Sequence, residues 1–232
     1  MKQVLIIILF IGSPLSAWAE FHAGLETSLR LSSFTGQYSQ VTDENFNSGA
    51  NQLNLSAQIG YNNFFTGLSL NSGVYQFTER APLRPHIPLG IQTGLEKVNR
   101  FELDAILGWR FFRYFSFFFD VKTLGYDWRG VNSAAAFTGL GIGVGFAYPV
   151  ARHWVGIVDY GRVRRMRVRS DTGVDNKTGN IRSLNFGVLY RVTKQAFISI
   201  RLKNQTLNYS YDGEVRQTHN NGGLAFGFGY HW

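Results

Sequence analysis

The sequence contains no cysteine, which excludes a disulfide framework, thiol chemistry and a lipid-anchored thiol. It also has little charge. Asp, Glu, Lys and Arg make up 16% of 232 residues, against about 25% in ordinary soluble domains. Beyond the first 20 residues it has no apolar run near the ~20 residues that a bilayer-crossing helix requires. Aromatic rings and glycine are abundant instead: 20 Phe, 11 Tyr, 5 Trp and 26 Gly, in a chain that is 44% hydrophobic. So many rings with so few charges call for apolar surroundings. Without a spanning helix, the remaining structure that pairs every backbone N–H and C=O inside hydrocarbon is a closed β-barrel.

The first twenty residues, MKQVLIIILFIGSPLSAWAE, read as a secretory signal. One positive charge at Lys2 precedes an apolar run from Val4 to Ile11, a breaker at Gly12 to Pro14 and the small-residue pattern Ala17-Trp18-Ala19. Cleavage after Ala19 is expected, leaving residues 20–232 as a single exported domain. Of 23 Lys and Arg, Lys2 goes with the signal, so the mature chain carries a net charge of +7 against its 15 Asp and Glu. Such an excess fits an anionic partner, and export makes that partner phosphorylated lipid rather than nucleic acid.

Periodicity tests the barrel. A strand with one face in lipid alternates apolar with polar or small residues over about ten positions. The closing stretch GGLAFGFGYHW does so, with Leu224, Phe226, Phe228, Tyr230 and Trp232 against Ala225, Gly227, Gly229 and His231. In 136–148, Leu140, Ile142, Val144, Phe146 and Tyr148 oppose a row of glycines. A soluble sheet would carry charge rather than glycine on its exposed face. The pattern predicts an all-β, transmembrane, antiparallel up-and-down barrel of ten strands, over 21–34, 51–61, 64–77, 98–111, 115–129, 135–148, 154–169, 181–192, 196–211 and 222–232. An eight-stranded reading would turn two alternating segments into loops. Connections at Asn62-Asn63, Phe112–Tyr114, Pro149–His153 and Thr193–Gln195 are tight, and four of the other five are long. That asymmetry predicts turns and both termini in the periplasm, with the loops outside.

The whole mature chain resembles the small outer-membrane β-barrels of Gram-negative bacteria. Its last residues, Phe226, Phe228, Tyr230 and the terminal Trp232, look like the C-terminal assembly signal of that class. The resemblance implies an outer-membrane location and recognition by the barrel-insertion machinery and periplasmic chaperones. It implies nothing about activity.

Parity along the strands assigns the two faces. Phe21, Tyr61, Phe64, Trp109, Phe111, Phe115, Tyr148, Trp154, Tyr190, Tyr230 and Trp232 fall near the turn ends, where rings sit at a membrane interface. Twelve charged residues are expected to point inward: Glu26, Arg30, Arg100, Glu102, Asp104, Arg110, Asp120, Lys122, Asp159, Arg191, Arg201 and Lys203. The three-residue turn before Phe115 sets Asp104 opposite Lys122. Two readings of this interior stand. Side chains interlock and fill it, as in barrels of about eight strands, or the glycine rows of strands six and ten leave a narrow channel for small polar solutes.

The densest charge run is RVRRMRVR, 162–169. Regular alternation sends Arg162 and Arg164 outward, as candidate lipopolysaccharide contacts through bidentate guanidinium–phosphate bonds. It sends Arg165, Arg167 and Arg169 inward unless a bulge intervenes. The longest loop, 78–97, holds Pro82, Pro85 and Pro88, which restrict it toward a lid or a fixed surface. Histidine chemistry is sparse. His22, His153 and His231 group at the turn-end mouth without needing a metal, and His219 with Asp212 or Asp171 is the sole loop combination for a hydrolase. There is no H-E-x-x-H or G-x-S-x-G. The sequence therefore reads as a monomeric, non-enzymatic barrel without metal or cofactor, serving a structural or binding role in outer-membrane lipid and lipopolysaccharide. A narrow solute channel and an outer-membrane lipid-modifying or proteolytic hydrolase are the alternatives.

Overall fold

In the computed structural model, residues 21–38, 45–78, 81–82, 96–112, 114–129, 133–170, 178–211 and 215–232 are described. The expected signal, 1–19, lies outside them, as do Pro85, Pro88, Asp171 and Asp212. Ten strands follow in order: β1 (Phe21–Tyr38), β2 (Asn45–Tyr61), β3 (Phe64–Phe77), β4 (Glu96–Phe112), β5 (Phe115–Arg129), β6 (Ser133–Ala151), β7 (Trp154–Ser170), β8 (Thr178–Arg191), β9 (Ala196–Tyr211) and β10 (Val215–His231). Each pairs antiparallel with its sequence neighbours, and β10 pairs with β1 from Gly24↔His231 to Tyr38↔Gln217, so the sheet closes into a barrel. Closure leaves no strand edge unpaired, which hydrocarbon requires. The C-terminus is part of the seam: Trp232 N–H donates to Ala23 O at 3.1 Å, and Ala23 N–H to Trp232 O at 3.3 Å.

The turn ends follow the sequence pattern closely. Asn62 takes the left-handed backbone, φ 53°, which asparagine tolerates in a tight hairpin. The turn expected at 149–153 is tighter than that, since β6 continues through Pro149 to Ala151 and the pairing shifts between those two residues. A proline is admissible there because the irregularity makes no demand on its missing N–H. At the opposite, loop end the strands are longer than the pattern predicts: β2 begins at Asn45 rather than 51, and β10 at Val215 rather than 222.

Those extensions divide the barrel into two halves. In the half nearer the turns, the outward residues are apolar, for example Leu53, Leu55 and Ile59 on β2 and Phe226, Phe228 and Tyr230 on β10. Rings gather at its lower rim, where Phe64 stacks on Trp109 (centroids 6.4 Å apart) and Trp154 meets Tyr190 (4.9 Å). Nearer the loops, the outward residues become polar: Asn47 and Asn51 on β2, Arg182 and Asn180 on β8, Asn204, Thr206 and Asn208 on β9, Asn220 and Thr218 on β10. Thr206 donates to Asn220 Oδ1 and Thr218 to Asn208 Oδ1, each at 2.8 Å. This part is built as a collar facing water.

The interior is inverted relative to the exterior. Inside the collar lies an apolar cluster that includes Phe34, Phe46, Tyr75, Phe77, Tyr126, Trp128, Phe137, Met166 and Tyr209. Inside the lipid-facing half lie charged and amide side chains. A second, smaller cluster of Phe65, Ile106, Phe118, Ile157, Leu189 and Phe197 sits below them, toward the turns. The glycine rows of β6 and β10 do not open a cleft. A Cβ on Gly143 would come within 2.2 Å of the Phe118 ring, and one on Gly229 within 2.0 Å of Phe197. These glycines are seats for rings from the next strand.

Candidate functional site

The charged layer is built by period-two alternation carried around the barrel by the strand register. Asp104 and Lys122 are cross-strand partners, and Lys122 Nζ lies 2.7 and 2.8 Å from the two carboxylate oxygens of Asp104. The same ammonium also binds Glu102. Glu102 in turn accepts from Arg100 at 3.0 Å and from Gln205 Nε2 at 2.9 Å, while Arg100 donates to Gln205 Oε1. A second group joins Arg201 and Ser199 to Glu26, the serine at 2.9 Å. Arg30 donates to Gln52 Oε1 (3.2 Å), Asn221 O (2.7 Å) and Lys203 O (3.2 Å). Asp120, at 1% exposure, and Asp159 are as enclosed as these groups. Arg110 and Arg191, nearer the turns, are half-buried. Isolated charges at this depth would cost several kcal/mol each, and pairing is what makes the layer tolerable.

The contacts to Gln205 cross the barrel. In a closed ten-stranded order, β4 and β9 are five strands apart either way around, so the bonds from Arg100 and Glu102 to Gln205 run between opposite walls. The collar holds a second diametric link. His219 on β10 is 3.2 Å from Tyr126 Oη on β5, and its other ring nitrogen is 3.1 Å from Tyr209 Oη and 3.0 Å from Gln217 Oε1. The rings of Phe34, Phe46, Tyr126 and Tyr209 surround it at 4.9–5.5 Å. Phe34 also stacks on Tyr126, centroids 5.7 Å apart and planes 7° from parallel. Asn221 donates to Tyr75 Oη at 2.5 Å, and that hydroxyl is 2.8 Å from Ser32 Oγ. At the mouth, Trp128 Nε1 donates to Pro82 O at 3.1 Å, drawing the start of the proline-rich loop onto the apolar cluster.

Three expectations need correction. His219 is a strand residue enclosed by aromatic rings rather than a loop residue, because β10 starts seven residues earlier than its alternation of apolar residues implies. In place of a cleft beside the glycine rows, rings occupy the space over Gly143 and Gly229, and Val163, Met166 and Ser199 close on Gly139, Gly141 and Gly227. In β7 the pairing shifts between Val163 and Met166 against β8, and Arg165 has φ 53°. This bulge places Arg164 and Arg165 both outside and reverses parity beyond them. Met166 and Val168 are buried in the apolar cluster, while Arg165, Arg167 and Arg169 are exposed. Regular alternation would have driven three guanidinium groups into that cluster, and one extra residue avoids it. Arg162 and Arg164 stay on the outside.

Several interior residues carry no sequence signal of their own. Gln205, Tyr75, Tyr126 and Asn221 face inward by parity, but their partners stand on strands that are not their neighbours. Strand count and register must be known before those pairs can be drawn. His22 and His231 are half-buried at the turn end and His153 is exposed in its turn. Among the described residues no group of three metal-ligating side chains comes together, and no helix is long and apolar enough to cross a membrane.

No protein-family profile matches the sequence, and no curated protein matches it. Solved structures do. The outer-membrane protease OmpT from Escherichia coli superposes with a TM-score of 0.59 over 93% of this chain and 99% of its own, at 10% identity. The β domain of the Bordetella autotransporter BrkA matches at a TM-score of 0.44 and 12% identity, covering 92% of this chain and 99% of that one. The P. putida toluene transporter TodX matches at 0.37 and 10%, covering 99% and 94%. Ten per cent identity speaks to fold alone. The chain has the closed antiparallel barrel fold of outer-membrane proteins, and activity has to be argued from its own residues.

Proposed function

We propose that this protein is a non-conducting, non-enzymatic outer-membrane barrel whose projecting collar and loops form a binding surface. It stands with its turns and both termini toward the periplasm, as a monomer in outer-membrane lipid and lipopolysaccharide. The barrel-assembly machinery and periplasmic chaperones read Phe226, Phe228, Tyr230 and Trp232 during its insertion. The observation that carries this reading is the pair of links between opposite walls, Arg100 and Glu102 to Gln205 and His219 to Tyr126. Together with the aromatic cluster above the charged layer, they argue that the interior serves as mechanical bracing rather than as a path. A gap among the charges, whose lining includes Arg30, Asn71, Lys122 and Lys203, has a volume of about 30 Å³, room for about two or three waters. A hydrolase would need a base that meets substrate, whereas His219 is 2% exposed and spends both ring nitrogens on tyrosine and glutamine.

Planar-bilayer recording with purified protein tests the reading. No conductance steps are expected. A stable ohmic step that disappears on replacing Asp104 with Asn and Lys122 with Gln would establish a channel through the charged layer and overturn it. Comparing the lipids of cells with and without the protein tests the hydrolase alternative, with identical acyl and headgroup patterns expected.

A further inference from the structure

We infer that the outer face of β5, β6 and β7 is a site for one multiply phosphorylated, acylated glycolipid of the outer leaflet. An apolar groove holds an acyl chain, and the arginines above it hold the phosphates. The inference rests on the orientation proposed above and names the ligand that the lipid-facing surface takes.

The register lays the groove out in rows. Phe119, Ile142, Arg162 and Arg182 stand side by side across four strands, and the row below them reads Phe117, Val144, Tyr160 and Leu184. Ile142 and Val144 are short side chains between taller ones. On one side Phe117 and Phe119 meet edge to face with centroids 5.1 Å apart, and on the other stand Tyr160 and Arg162. The depression they enclose is about 700 Å³ and is closed at its top by Arg162 and Arg164. An extended hydrocarbon chain fits such a trough, whose floor of Ile142 and Val144 between Phe117 and Phe119 is apolar.

Three features of the arginines call for an anion. Arg162 and Arg182 are direct cross-strand partners on the outer face, an arrangement of like charges that destabilises a sheet unless something neutralises it. Arg162 is half-buried against this face, which raises the cost of leaving its charge uncompensated. Among the described residues, no acidic side chain pairs with either arginine. Guanidinium is also the group that binds phosphate through two parallel N–H bonds.

The length of the run selects among phosphate-bearing lipids. The bulge at Arg165 turns Arg167 and Arg169 outward, so guanidinium groups continue from the apolar edge up the collar. At ~3.3 Å per residue the distance from Arg162 to Arg169 is roughly 20 Å along the strand. A phospholipid with one headgroup phosphate reaches only the lowest of them. A glycolipid with phosphates on its acylated sugars and further anionic sugars above matches the whole run.

Native mass spectrometry of the full chain in detergent, with added bisphosphorylated hexa-acyl lipid A, tests this. One bound lipid A is expected, with dephosphorylated lipid A and phosphatidylglycerol both binding at least about tenfold more weakly. Replacing Arg162, Arg164 and Arg182 together by Gln is expected to weaken lipid A at least about tenfold, and replacing them by Lys to recover part of that loss. Ile142→Trp, which fills the trough, is expected to weaken acylated lipid without affecting a phosphorylated sugar that lacks acyl chains. Each variant is first checked for the heat-dependent gel migration of a folded barrel. Equal lipid A binding by wild type and the Gln variant, or displacement of lipid A by an equal concentration of phosphatidylglycerol, overturns the site and leaves the silent-barrel reading standing. Conductance with normal lipid A binding overturns that reading and leaves the site.

Discussion

The two halves of the barrel share one backbone and one period-two alternation, yet they put opposite chemistry on their faces. Toward the turns, Leu55 and Phe228 face out while Glu102 and Lys122 face in. Toward the loops, Asn51 and Thr206 face out while Phe34 and Tyr126 face in. The difference follows from the solvent each half meets. Lipid offers a leucine nothing to escape from, so the lower half gains little from apolar burial inside and is held by paired polar groups. In the proposed orientation water surrounds the collar, and its aromatic interior then gains the ordinary hydrophobic stabilisation of a soluble barrel. One sheet thus passes from a membrane protein to a water-soluble one within a few residues of each strand.

Breaking one ion pair in the lower interior should have the largest effect. Glu26→Ala strips Arg201 of its carboxylate in a site where Arg201 is 1% exposed, and it should cost about 3–5 kcal/mol in urea unfolding from lipid vesicles. Combining it with Arg201→Met should return part of that loss, because the stranded guanidinium goes with its partner, while Asp159 and Lys203, which also feel this pair, keep their charges. A double variant as unstable as the single one would show that the charges do more than satisfy one another.

A smaller effect should separate the two exteriors on a single strand. Leu55 and Asn51 both face outward on β2, four residues apart. Leu55→Arg places a guanidinium in hydrocarbon and should destabilise by about 2–4 kcal/mol. Asn51→Arg puts the same group in water and should change stability by less than about 0.5 kcal/mol. Equal penalties in the same unfolding measurement would mean that the polar collar is not outside the bilayer.

The contrast between halves also explains what the sequence made legible. Lipid-facing strands announce themselves, because leucine and phenylalanine at every second position between small or charged residues have no other explanation here. Their turn ends at Phe21, Tyr61, Phe64, Phe115, Trp154 and Ala196 are read directly. The collar ends are not. In 45–50 the outward residues Asn45, Asn47 and Gly49 are those of ordinary loops, and the alternation with Phe46, Ser48 and Ala50 is too short and too polar to declare a strand. The pairing of Asp104 with Lys122 follows from one turn length, since adjacent strands share a register. The links to Gln205 and between His219 and Tyr126 depend on which strand stands opposite, a global property that no local pattern encodes. The bulge in RVRRMRVR is an intermediate case. Nothing in the residues marks Arg165 as the extra one until the apolar interior above Val163 is known, and then every other register buries arginine.

That bulge supplies the smallest expected effect and the sharpest check on how the two halves join. Deleting Arg165 leaves Val163, Arg164, Met166 and Arg167 alternating in, out, in, out. It also makes the pairings with Leu140 to Thr138 on β6 and with Ile181 to Gly179 on β8 regular. Met166 and Val168 keep their places in the apolar cluster, and Arg167 and Arg169 stay in water. The left-handed backbone of a non-glycine residue, which costs about 1 kcal/mol, is removed at the same time. A one-residue deletion inside a barrel strand ordinarily turns every side chain beyond it to the wrong face, yet this one should fold with stability within about 1 kcal/mol of the parent, on the favourable side. If urea unfolding shows a loss above about 2 kcal/mol, the extra residue is needed for the curvature of the collar itself, and sorting arginine from the aromatic interior is not the reason it is there.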